Sequence, residues 1–167
     1  MTLADRVSRS PAADVLAAGG PPAPVRIAHG LWVVAVGAGM FETVLAVGRL
    51  LARGHGAGPA IAAGLAIRLP VFAAALVVAG RMREGRGWAR IALALGLGIL
   101  GTASMVVQPI EALAHGRTLA SALTRSSAVD LLFGASRTVH LACVLGAVAL
   151  MFLPAANAWF RERRRRR

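Results

Sequence analysis

Glu42 and Arg68 are the residues whose chemistry is hardest to reconcile with their surroundings, because each stands inside a long apolar stretch. A lone charge in hydrocarbon is costly, so it must be paired, hydrated or used. Glu42 lies 8 residues before Leu50, and Arg68 lies 9 after Pro59. If those two positions mark the same bilayer boundary, a rise of about 1.5 Å per residue sets both charges about 12 to 13 Å deep, level on antiparallel neighbours. Glu42 shares a helix face with Ala35, Ala38, Gly39 and Ala46, and Arg68 shares one with Gly64, Ala75 and Ala79. Small faces of this kind let helices approach closely. The spacing predicts an intramembrane ion pair; the alternative is that Arg68 snorkels to the headgroups while Glu42 is protonated.

Two polar stripes could add to that chemistry. Gly101, Ser104, Gln108 and Glu111 recur at helical spacing, and so do Ser136, His140, Cys143 and Ala147. Polar groups in hydrocarbon need partners, so both stripes are expected to face protein or water, with Ser104, Gln108 and His140 as the polar interior. Interhelical hydrogen bonding and a solute path both fit such stripes. His140 and Cys143 could hold two metal bonds, but two ligands are too few and no third has fixed spacing, so neither metal nor cofactor is expected. Paired carboxylates, a nucleophile elbow and a phosphate loop are all missing from the sequence, which gives no support to an enzyme. A single cysteine also rules out an internal disulfide.

Membrane helices must position these residues. The 167-residue chain is 57% hydrophobic with a mean hydropathy of +0.66, where about half apolar is usual for a soluble domain. Apolar runs at about 27–50, 60–80, 88–108 and 137–160 form a membrane domain over residues 25–160. Each is close to the 20 or so residues that cross a hydrocarbon core of about 30 Å. Pro70 is expected to kink the second run, and Pro109 to stop the third. Residues 1–24, rich in Pro, Ala and Gly, read as a disordered lead. The 110–135 connection lies on the membrane surface or folds over the bundle, and Ser127 with Asp130 fits a capping box opening a helix there. The fold class is therefore all-α: a four-transmembrane-helix bundle with a longer outer loop between helices 3 and 4.

The arginines set the orientation. The net charge is +12, and all 19 basic residues are arginine. With both termini cytoplasmic, thirteen lie inside (Arg6, Arg9, Arg26, Arg81, Arg83, Arg86, Arg90, Arg161 and the five from Arg163 to Arg167) against five outside (Arg49, Arg53, Arg117, Arg125, Arg137). The positive-inside bias selects this topology, and Trp32, Trp88 and Trp159 fall at the cytoplasmic ends of their spans. Arg81, Arg83, Arg86 and Arg90 in the turn, and Arg163, Arg164, Arg165, Arg166 and Arg167 in the polybasic tail at 161–167, are candidate contacts for anionic headgroups. Because the arginines cluster at the ends of apolar runs instead of forming one soluble patch, nucleic acid is not expected as a partner.

Pro-Val-Arg-Ile-Ala-His-Gly-Leu-Trp before the first span and Met-Arg-Glu-Gly-Arg-Gly-Trp-Ala-Arg-Ile-Ala-Leu at residues 82–93 resemble a group of small, uncharacterised four-span integral membrane proteins common in GC-rich Gram-positive bacteria. The resemblance covers residues 24 to about 107. It implies a four-helix inner-membrane protein and carries no catalytic residue with it. The resulting expectation is a multi-pass protein of the cell membrane with a structural or accessory role, in contact with membrane lipids and with a partner protein or a second copy. The alternative is a small conduit or proton-coupled carrier that uses the polar outer half of the bundle. A conduit needs water at Glu42 and Arg68, whereas a scaffold needs them dry and paired.

Overall fold

The computed structural model describes residues 20–52, 54, 57–103, 105–106 and 127–166, and every element among them is helical. Ser104, Gln108, Glu111, Arg167, the lead up to residue 19 and the connection over 107–126 lie outside the described residues.

Helix α1 (Ala23–Ala52) starts where the Pro22 carbonyl accepts from the N–H groups of Val25 at 3.0 Å and Arg26 at 3.2 Å. Arg49 sits in its last turn, where a cation is favoured by the helix dipole. Helix α2 (Ala57–Arg83) stays helical through Pro70, which withholds one backbone donor. The chain then reverses through Gly85, whose φ of +91° is the left-handed conformation that glycine adopts without strain. Helix α3 (Gly87–Leu93) passes directly into a π-wound stretch, Ala94–Gly101. This winding is rare, and Gly96, Gly98 and Gly101 weaken the α alternative there. At Gly98 an added Cβ would sit 3.1 Å from Val148, so the glycine also lets α3 close on the next helix.

Helix α4 (Ala128–Met151) opens on the expected capping box: Ser127 accepts from the Asp130 N–H, and the Asp130 carboxylate accepts from the Ser127 N–H. It ends earlier than the apolar run does. Residues 137–160 read as one span in the sequence, but Leu153 is extended and Pro154 starts a separate helix, α5 (Pro154–Arg165). Proline pushes the preceding residue out of helical conformation and is itself well suited to a first helical turn. The membrane-length helix is thus 128–151, and the arginines of the supposed tail up to Arg165 continue α5.

Three helices are long and apolar enough to cross a bilayer, α1, α2 over Gly58–Arg83, and α4; the apolar stretch Gly87–Gly101 is shorter. Their outward side chains are large and bare, with Val44, Ile67 and Val139 68%, 69% and 50% exposed. Such a continuous apolar surface is a liability in water and an asset in lipid.

The packed core sits at one end. Trp32, Met82, Met151 and Val25 are fully buried, with Ala79, Leu93, Val144, Ala147, Trp159 and Phe160 around them. These residues come from the first half of α1, the end of α2, the end of α3, the second half of α4, and α5. The same end carries the arginine turn, so it is called the basic end below. Trp32 accordingly belongs to the core and not to an interface belt, whereas Trp88 is 54% exposed. Helix α5 lies against the α2–α3 turn, where an added Cβ at Gly85 would meet Arg163 Cγ at 2.9 Å and Trp159 at 3.2 Å. Helix α1 packs most extensively against α4 and next against α2.

Candidate functional site

Beyond the packed core the bundle is hollow. A cavity of about 530 Å³ at the end opposite the arginine turn is lined by Glu42, Thr43, Ala46 and Arg49 of α1, Arg68 and Phe72 of α2, and Phe133, Arg137 and His140 of α4, with Met105. Volumes of this size suit small organic ligands.

Glycine at position 39 makes the arrangement possible. A Cβ there would lie 3.0 Å from the Phe72 ring and 3.2 Å from the His140 ring, so both rings rest directly on α1. One turn on, Glu42 Oε1 lies 3.3 Å from His140 Nδ1, with side chains only 11% and 16% exposed. Thr43 donates to the Gly39 carbonyl at 2.8 Å, and Ser136 to the Ala38 carbonyl at 3.4 Å. These bonds return the polar groups of the small faces to the backbone, as a low-dielectric setting demands. On the predicted inward faces Ala35 and Gly39 are buried on α1, Ala75 and Ala79 on α2, and Cys143 and Ala147 on α4, whereas Gly64 is half-buried and Arg68 itself is exposed.

The Glu42–Arg68 ion pair is not formed. Arg68 makes no ion pair within 4.0 Å among the described residues, although it faces the same cavity as Glu42. Its guanidinium lies back along α2, with Nη1 3.7 Å from where a Cβ on Gly64 would be. Side chains on a helix lean toward its N-terminus, and for Arg68 that direction leads away from the core. Helix α1 packs more closely on α4 than on α2, so the residue that reaches Glu42 is His140.

Two further arginines complete the wall. Arg137 Nη2 donates to the Met105 carbonyl at 2.6 Å, while its Nε is buried without a partner. Arg49 pairs with Asp130 at 2.6 Å, joining the end of α1 to the first turn of α4, and stacks over Phe133 at 5.2 Å. With Arg49 neutralised by Asp130, Arg68 and Arg137 face the one carboxylate of Glu42, and the cavity carries a single positive charge in excess. Below it, a second cavity of about 150 Å³ is lined by Trp32, Val36, Leu97 and Thr102 among others. Phe72, Met105 and His140 line both spaces and form the partition between them. The lower cavity ends on the packed core.

Other sequence candidates fall elsewhere. Cys143 is buried one turn from His140, and no group of three metal-ligating side chains occurs among the described residues. At the basic end, Glu84 accepts from Arg81 and pairs with Arg86, both at 3.5 Å, and Glu162 pairs with Arg166 at 2.8 Å. Arg83 is exposed, Arg163 lies over Trp159 at 5.5 Å, and Arg90 bonds Asn157. Arg49, Arg137, Phe72 and Asn157 did not stand out in the sequence. The only signal was an arginine ending one apolar run or opening the next, which topology alone accounts for.

Neither a family model, nor a curated protein, nor a solved structure matches the chain.

Proposed function

We propose that the chain is a four-span protein of the cell membrane, both termini cytoplasmic, that binds a small anion in the outer half of its bundle as a small proton-coupled carrier. The observation that carries this reading is Arg68: it faces a cavity of about 530 Å³ shared with Arg49 and Arg137, with no ion-pair partner among the described residues. A dry scaffold needs that charge neutralised by Glu42, and instead Glu42 is engaged by His140. An unpaired guanidinium at that depth is tolerable when water or an anion reaches it. The packed core closes the basic end, which favours a binding site of carrier type over an open pore.

In this reading residues 88–108 complete the fourth crossing, the arginine turn and α5 face the cytoplasm, and anionic headgroups are the lipid partners. Membership of the four-span group that the sequence resembles is part of the same proposal. One observation favours the accessory role as a second reading: only 6% of the apolar window of α2 is buried, which leaves a long face for a partner protein or a second copy.

Thermal unfolding of the detergent-solubilised protein, followed by tryptophan fluorescence across a panel of small anions, tests the anion site. A ligand at a hundredfold excess over its Kd stabilises by about 2.7 kcal/mol, which is several degrees for a chain of this length. At least one anion is expected to raise Tm, and Arg68→Gln to abolish the rise. No response to any anion, or an equal response from Arg68→Gln, would overturn the proposal.

A further inference from the structure

At the basic end we infer a built site for one phosphate group, formed where α5 folds back over the start of α3. Arg90, Arg161, Arg164 and Arg165 surround a pocket of about 290 Å³ walled by Phe160. Arg164 and Arg165 follow Arg161 by three and four residues, so both neighbour it on one helix face. No carboxylate among the described residues pairs with any of the four, because Glu84 is engaged by Arg81 and Arg86, and Glu162 by Arg166.

Arg90 is held ready. One Nη1 hydrogen goes to Asn157 Oδ1, and its guanidinium stacks over Phe160 at 4.9 Å and Phe152 at 5.3 Å. Asn157 is itself anchored, donating from Nδ2 to the Phe152 carbonyl at 2.7 Å, so the break between α4 and α5 orients the arginine. The Nε of Arg90 remains buried with no acceptor. Like charges gathered at short range repel, and no carboxylate among the described residues offsets them. A phosphate supplies the missing acceptors, since its oxygens match the guanidinium fork and accept from several arginines at once.

The ligand is a phosphate ester, carried either by an anionic phospholipid headgroup or by a soluble phosphoester. Diffuse attraction of a basic tail to a membrane would depend on every arginine about equally. A pocket predicts instead one bound group per chain and a dependence on its four arginines that Arg81 and Arg83 do not share.

The test is native mass spectrometry of the full chain in mild detergent after exposure to phosphatidylglycerol or phosphatidylcholine, with thermal unfolding as a check on fold. One phosphatidylglycerol per chain is expected to be retained, phosphatidylcholine not, and each pocket arginine removed should weaken retention about fivefold. Arg90→Gln with Arg164→Gln should therefore lose it, whereas Arg81→Gln with Arg83→Gln removes the same charge and should keep it. Should the first pair misfold, the exposed Arg161→Gln variant is expected to show its fivefold loss alone. A rise in Tm with inorganic phosphate in lipid-free detergent that Arg68→Gln keeps and the pocket variants lose identifies a soluble phosphoester as the occupant, and a response to phosphatidylglycerol only identifies the headgroup. Equal losses from the two double variants, no loss from Arg161→Gln, or equal retention of both lipids would overturn the site.

Discussion

His140 Nδ1 and Glu42 Oε1 meet 3.3 Å apart across the α1–α4 interface, at the boundary between a polar and an apolar cavity. The pair is the point at which an inward charge is satisfied by the protein itself. Groups in contact show coupling energies of about 0.5–3 kcal/mol. A double-mutant cycle on thermal stability with Glu42→Gln and His140→Gln should fall in that range, while a cycle of Glu42→Gln with Arg68→Gln should show the smaller coupling. The reverse order would restore Arg68 as the partner.

Gly39 is the contact on which the site closes. Gly39→Ala drives a methyl to within 3.0 Å of Phe72 and 3.2 Å of His140, and overpacking of this kind costs about 1–3 kcal/mol. Gly37 in the same helix has nothing within 4 Å of the built Cβ, so Gly37→Ala should gain about 0.5–1 kcal/mol from helix propensity. Opposite signs in thermal unfolding are the expected result. Like signs would mean that α1 and the two rings are not in direct contact.

Asn157 serves two masters at the α4–α5 break, Arg90 and the Phe152 carbonyl. Asn157→Ala removes one exposed and one half-buried hydrogen bond, each worth about 0.5–1.5 kcal/mol. Asn157→Asp keeps the acceptor for Arg90 and loses the donor to Phe152, so its loss of stability should be intermediate. If alanine there is as stable as asparagine, the break does not depend on this amide.

The proposed topology predicts an asymmetry in labelling. In a Cys143→Ser background, Glu84→Cys in intact cells should be shielded from an impermeant thiol reagent and Ser127→Cys should react. Labelling at position 84 from outside would reverse the orientation.

Helices α1, α2 and the start of α4 were legible in the sequence because apolar length and the Ser127–Asp130 cap are local properties, whereas the apolar run at 88–108 is described as a shorter helix over Gly87–Gly101. The inward faces around Gly39, Ala75 and Ala147 were legible too, because small residues at helical spacing mark close contact. The identity of Glu42's partner was not. Depth along the axis placed Arg68 level with it, but depth says nothing about which helix lies nearer, and α4 packs on α1 more closely than α2 does. The end of α4 was signalled by Pro154 inside the last apolar run, yet mean apolarity across residues 137–160 conceals a single proline. The basic pocket depends on α5 returning to α3, a long-range contact between Asn157 and Arg90 that no local pattern encodes.

The central claim, a wet cavity of positive charge at the outer end, is tested most directly by the chemistry of one added thiol. Ala46 lines the cavity beside Glu42 and Arg49. In the Cys143→Ser background, Ala46→Cys should react with small charged methanethiosulfonates added from outside, and faster with the anionic sulfonate reagent than with a cationic ammonium one, because the excess arginine charge concentrates anions. Arg68→Gln should shrink that preference. No reaction from outside, or faster reaction with the cation, would contradict the account.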